Sequence, residues 1–202
     1  MLPLLERLPP EAQSFDGEDF GRSGDLTVHV PLIQHQNLVR RVPFTVELRN
    51  VPFRQQEQVA FYLLDRLPRF TGGAFDARGN GQSIAEFAMQ RYGAVRIAQV
   101  MPTEAWYREH MPPVKAALED GNLVDLPKDA DTLNDLRAVQ VVRGVPRVPD
   151  ERTKGEDKGK RHGDVAVAVA LAYYASRELN KGPVHAASRA RRDSIRGQLA
   201  GY

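Results

Sequence analysis

The stretch from Asp164 to Arg177 leaves the chain few ways to fold. From Val165 to Ala175 it is apolar on every side. It is too short to cross a bilayer, which takes about 20 apolar residues, and it begins beside charges. It must therefore be buried, with other elements packed around it. Val165, Val167 and Val169 alternate with alanine, which also fits a strand, but length and alanine content predict a buried helix. A chain of 202 residues is long enough to enclose such an element in one domain.

The elements that would enclose it are legible upstream. Leu26 to Leu32 is rich in β-branched residues and predicts a strand. Phe44, Val46 and Leu48 alternate with polar neighbours, the pattern of a half-buried strand. Arg54 to Leu67 carries Val59, Tyr62, Leu63 and Leu67 at helical spacing, with Pro52 just ahead of it. Gly73 to Asp76 predicts a short strand ending in the turn Arg78-Gly79-Asn80-Gly81. A helix follows from Ser83 to Tyr92, with Gly93 as its C-terminal cap. Val95, Ile97 and Val100 predict another strand. Thr103 to His110 and Val114 to Glu119 predict two helices broken by Pro112 and Pro113. Asp131 to Val142 predicts a helix, and Val145 to Val148 an extended piece. This order of strands and helices predicts an α/β layered domain with a mixed sheet. The expected organisation is a lead-in over residues 1–14, one domain over 15–180 and a basic polar tail over 181–202.

Composition narrows the chemistry. There is no cysteine, which excludes disulfides, Cys-ligated zinc, iron–sulfur clusters and thiol nucleophiles. The net charge is only +2, with a pI near 9.0, so the placement of basic residues matters more than their number. The N-terminal MLPLLERLPPEAQ carries acidic residues and no long apolar core, so no signal peptide and no membrane association are expected. No Ser–His hydrolase motif and no His metal-ligand spacing are visible.

Three aspartates share one kind of position. Asp19 sits just ahead of the first strand, Asp76 ends the Gly-Ala-Phe-Asp strand, and Asp164 opens the apolar helix. If their elements are neighbours, three carboxylates converge. Carboxylates held close repel one another unless a cation neutralises them, and their hard oxygens suit Mg²⁺ or Mn²⁺. Two such ions about 3.5–4 Å apart can clamp a phosphodiester without any side-chain nucleophile. Each residue also has a plainer reading. Alone, Asp164 reads better as a helix N-cap, Asp76 as an Asx-turn residue and Asp19 as a turn starter.

The words around these residues add a resemblance. GEDFGRSGDLTV, GGAFDARGNGQSIAEFAMQRYGA and KRHGDVAVAVALAYYAS resemble, in order, the three acidic motifs of phage terminase nucleases. ELRNVPFRQQ, MPTEAWYREHMPPVKAALEDG and LRAVQVVRGVPRVP resemble the Mu-like subgroup. The similarity runs from Phe15 to Ser176. It implies the C-terminal nuclease half of a Mu-like terminase large subunit, with an RNase H-like mixed sheet flanked by helices. It further implies a metal-dependent endonuclease that cuts double-stranded DNA during genome packaging in the host cytoplasm, with Asp19, Asp76 and Asp164 as catalytic metal ligands for two ions. The partners it implies are DNA, a packaging ATPase domain, a small terminase subunit and a portal protein. Complete large subunits carry an ATPase half, yet G-x-x-x-x-G-K-[ST] is absent here, so an excised domain or a truncated product is expected. Two rival functions stand beside this one: a structure-selective nuclease such as a junction resolvase, and a non-catalytic DNA-binding or motor-docking module.

Basic residues complete the expectation. Asp150 to Arg161 reads as a mobile loop whose basic end directly precedes Asp164, so Lys158, Lys160 and Arg161 are candidate phosphate contacts. A solvated loop is the equal alternative. Arg22 and Arg78 follow two of the aspartates and either touch phosphates or pair with the carboxylates when no metal is bound. His162 assists proton transfer, contacts the scissile phosphate, or serves the turn before Gly163.

Overall fold

The computed structural model describes residues 1–21, 26–149, 153–154 and 160–179, with only the backbone of 153, 154 and 160. In chain order the elements begin with helix α1 (Leu2–Leu5) and strands β1 (Gln13–Asp19), β2 (Leu26–Gln34), β3 (Arg40–Arg41) and β4 (Val46–Arg49). Helix α2 (Phe53–Leu64), β5 (Phe70–Asp76), α3 (Gly81–Tyr92), β6 (Ile97–Val100) and α4 (Glu104–Glu119) follow. The last are β7 (Leu123–Val124), α5 (Ala130–Arg137), β8 (Gln140–Val142), β9 (Val145–Arg147), β10 (Thr153–Lys154), β11 (Lys160–Arg161) and α6 (Asp164–Glu178). No helix among the described residues is long and apolar enough to cross a membrane.

The main sheet runs β6-β5-β1-β2-β3-β7, with β4 also paired to β2. β1 is antiparallel to β2 and parallel to β5, and β5 is parallel to β6, so the sheet is mixed as expected. Alternation along the strands divides two cores. On one face Phe15, Val28, Val30 and Ala74 pack with α6 and with Tyr107, Met111 and Val114 of α4. On the other, Phe75 and Ile97 pack with Leu63 and Leu64 of α2 and Ile84, Ala85 and Ala88 of α3.

α6 is the buried helix that the sequence predicts: from Val165 to Ala172 every residue is buried. It lies directly on the sheet because β1 carries a glycine beneath it. A Cβ on Gly17 would collide with the backbone of Ala168 and Ala172. The contact joins a small-residue stripe on the helix to a strand position with no side chain, so the two backbones approach closely.

Three expectations are corrected. Asp19 does not precede the first strand but ends one, β1, which the sequence reading merged into a lead-in and a turn. Pro112 and Pro113 do not break α4, which runs through them as one helix. Each proline removes an N–H that would have met a carbonyl four residues earlier; those carbonyls belong to Arg108 and Glu109, both exposed, where water can satisfy them. The helix expected to reach Val142 ends at Arg137, and its last residues form β8, hairpinned to β9.

Candidate functional site

The pairing register brings the first two aspartates together. Glu18 of β1 stands opposite Phe75 of the parallel strand β5, so the next residues, Asp19 and Asp76, end neighbouring strands on the α6 face. Asp164 begins α6 one turn before Ala168, which sits over Gly17, and so overhangs the same end. All three line one solvent-open cavity of about 370 Å³, together with Arg78, Tyr107 and His162. Their exposures are 7%, 2% and 6%: buried in their elements, with their tips at the cavity wall.

The charges are strained as crowding demands. Asp19 is pushed well above the usual carboxylate range, first by burial and then by the nearby charges of Asp164 and Asp76, with Arg78 opposing. Asp164 is also raised, chiefly by burial, although the backbone N–H of His162 and the charge of Arg161 pull it down. Burial pushes the Tyr107 hydroxyl up to about 12, again beside Asp19 and Asp76. Such shifts in a cleft make these residues candidates for a functional site.

Arg78 is the cation now present. Its Nε lies 3.0 Å from both oxygens of Asp76, its Nη2 lies 2.7 Å from Oδ2, and its backbone N–H donates to Oδ1 at 2.9 Å. Nη2 is 3.9 Å from Asp19 Oδ1. Both oxygens of Asp76 are therefore engaged. As the side chains stand, no group of three His, Asp or Glu residues among the described residues is arranged to hold an ion.

Asp164 is not the N-cap of α6; that position is Gly163, at φ 71° and without a capping side chain. The capping expectation fails because the chain needs a left-handed residue there and finds the cap elsewhere: Val165 N–H donates to Asp135 Oδ2 at 3.1 Å.

The expected phosphate contacts divide. Arg78 is half exposed at the cavity. Arg22 and Lys158 lie outside the described residues, as do the side chain of Lys160 and the tail from 181. Arg161 is corrected: its side chain is 2% exposed and bonds Glu47 and Asp135, so its guanidinium is directed inward to carboxylates. His162 lines the cavity, half-buried, and its N–H donates to Asp164 Oδ2 at 3.0 Å.

A buried polar group that the sequence reading missed lies under the opposite face of the same strand. Asp16, Glu18 and His29 are all fully buried, with His29 Nδ1 3.0 Å from Asp16 Oδ2 and Nε2 3.6 Å from Glu18 Oε1. Burial pushes Glu18 up to about 8. Burial alone would lower His29, but Asp16 and Glu18 outweigh it and raise the ring. The available signal was the i, i+2 spacing of Asp16 and Glu18, which in a strand places both on one face.

Comparison with known proteins places these features in company. No protein-family model matches the chain. It is 48% identical over 177 residues to the probable terminase large subunit gp28 of Escherichia phage Mu, covering 87% of this chain and 32% of that protein. It is 42% identical over 176 residues to the Mu-like prophage FluMu protein gp28 of Haemophilus influenzae, covering 87% of this chain and 34% of that protein. The chain thus spans about a third of the length of these relatives. Among solved structures, the large terminase nuclease of thermophilic phage G20c, crystallised with magnesium and with cobalt, superposes at a TM-score of 0.60 with 16% identity over 82% of each chain. At that identity the likeness establishes the fold, which is the RNase H-like one.

Proposed function

The chain is a relative, over about a third of their length, of the Mu-like phage terminase large subunits, and on that premise we propose that it is a divalent-metal-dependent endonuclease acting on double-stranded DNA during phage genome packaging. The observation that carries the reading is the convergence of Asp19, Asp76 and Asp164, from three separate elements, on one open cavity. The terminase nuclease of the same fold holds magnesium in its crystal, and the donor set here is of the matching kind: hard, crowded carboxylates whose repulsion a cation would relieve.

Asp19, Asp76 and Asp164 would hold Mg²⁺ or Mn²⁺, two ions by the usual logic of such sites. When bound, these supply an activated water and charge stabilisation for phosphodiester hydrolysis. The protein's own work is positional. β1 and β5 fix two carboxylates in register, and α6 brings the third down onto them. Arg78 must release Asp76 before that carboxylate can ligate, and the freed guanidinium is then placed for a phosphate oxygen. Lys158 and Lys160, basic residues a few positions before Asp164 in the sequence, are proposed as further phosphate contacts. Partners follow from the same reading: a packaging ATPase domain, a small terminase subunit and a portal protein, in the host cytoplasm.

The Arg78–Asp76 pair also favours a second reading, a non-catalytic docking module whose acidic cluster is permanently neutralised by arginine. A plasmid-nicking assay with the purified chain separates the two. Nicking is expected with Mn²⁺ and without ATP, and it is expected to stop in EDTA or in Asp76→Asn. Cutting that persists in EDTA, or in a well-folded Asp76→Asn protein at wild-type rate, contradicts the proposal. No Mn²⁺ binding at millimolar concentration supports the docking module.

A further inference from the structure

Arg161 and its carboxylate partners form a buried cluster that metal-assisted cleavage does not itself use. Gly163 has no side chain with which to cap α6, yet the first-turn N–H groups of a helix need acceptors. Asp135, reaching over from α5, accepts from Val165 N–H at 3.1 Å. It does from a distance what an N-cap side chain does locally. Asp135 is fully buried, and Arg161 holds it in place: Nη2 lies 2.8 Å from Oδ2 and Nε 3.2 Å from Oδ1. The other edge of the guanidinium reaches Glu47 of β4 at 2.9 and 2.8 Å, and Nη1 stands 3.6 Å from Asp131. One buried cation therefore pins β4, α5, β11 and the start of α6.

Asp164 lies between the two pinned points, Arg161 and Val165. Its Oδ2 accepts from His162 N–H, and the turn behind it is closed, because a Cβ on Gly163 would come within 2.7 Å of the Val148 methyls. Without Asp135 the Val165 N–H would need another acceptor, and its chain neighbour Asp164 carries a carboxylate at the same helix end. We propose that Asp135, held by Arg161, is a positioning residue for the third metal-binding carboxylate: by capping α6 in place of Asp164, it leaves Asp164 directed at the cavity. This rests on the reading of Asp164 as a metal ligand.

The test is Mn²⁺ affinity of the full chain, read by electron paramagnetic resonance, together with amide exchange at Val165. Asp135→Ala is expected to weaken Mn²⁺ binding about 10- to 100-fold, the usual effect of removing a group that orients a ligand, and to speed exchange at Val165. Asp135→Asn keeps one oxygen acceptor for that N–H but loosens the hold of Arg161, and is expected to recover part of both. Leu63→Ala, a core truncation in the opposite-face cluster, is expected to lower stability without changing Mn²⁺ affinity. If Asp135→Ala does not fold, Glu47→Gln loosens Arg161 from a one-third exposed position and is expected to weaken Mn²⁺ binding severalfold. Wild-type Mn²⁺ affinity in folded Asp135→Ala, or equal weakening in Leu63→Ala, overturns the assignment alone. A wild-type chain that binds no Mn²⁺ overturns the metal-centre reading and the assignment together.

Discussion

One residue bears on the site before any ligand arrives, and another on the stability of the strand that carries it. Arg78 occupies Asp76 as an ion pair whose guanidinium is half exposed and whose carboxylate is buried; with the guanidinium screened by solvent, its hold on that carboxylate is discounted to about 1 kcal/mol. Arg78→Gln should therefore tighten Mn²⁺ binding by up to about fivefold, by the usual conversion of free energy to affinity, while weakening DNA binding at saturating metal. Calorimetric titration checks the first effect; weaker Mn²⁺ binding in the variant would show that Arg78 supports the site and does not compete with the ion. Glu18 acts through pH. Its folded pKa is raised to about 8 from an ordinary 4.5, so unfolding releases a proton between those values and stability falls as pH rises through that window. Below pH 4.5 the carboxyl is neutral in both states and its stability is fully present. His29, also raised, adds in the same direction above its ordinary value. Glu18→Gln should flatten melting temperature against pH from about 5 to 8; a curve parallel to wild type would remove Glu18 as the cause. The sequence makes Asp19, Asp76 and Asp164 candidates because each stands at the edge of an element and in a recognisable motif, and all three line one cavity. The inward role of Arg161 is not legible in the sequence because it sits in a basic run, while its partners Asp135 and Glu47 lie 26 and 114 positions away and only folding brings them near.

At the scale of elements, the packing of α6 on β1 decides whether the aspartates meet. The strand Gln13–Asp19 was not legible as a strand, for a physical reason. It carries one large apolar residue, Phe15, and its other positions serve tertiary needs: Gly17 for the approach of α6, Asp16 and Glu18 for His29. Tertiary context overrides β-propensity in such a segment. Helices α2 and α3 are legible because their apolar periodicity faces one core, and α6 because its apolar run is too continuous to be anything but buried. Gly17→Ala puts a methyl into the α6 backbone and must push helix from strand. Overpacking of this kind costs about 1–3 kcal/mol, occasionally more, and here it also draws Asp164 away from Asp19. Urea unfolding should report that loss and Mn²⁺ titration a weaker site. A Gly17→Ala protein with native stability would mean that α6 does not lie as close as its packing indicates.

For the whole molecule, a sheet end and a helix end bring three distant parts of the chain to one cavity, the cation-binding cluster proposed above. The fold is shared with a terminase nuclease at 16% identity, so the architecture tolerates nearly complete change of sequence. The most direct measurement is a crystal of this chain soaked in Mn²⁺, read by anomalous scattering at the manganese edge. The account predicts anomalous peaks between Asp19, Asp76 and Asp164, with the Arg78 guanidinium withdrawn from Asp76. Manganese bound elsewhere, with Arg78 still on Asp76 and the three carboxylates empty at millimolar metal, would contradict it.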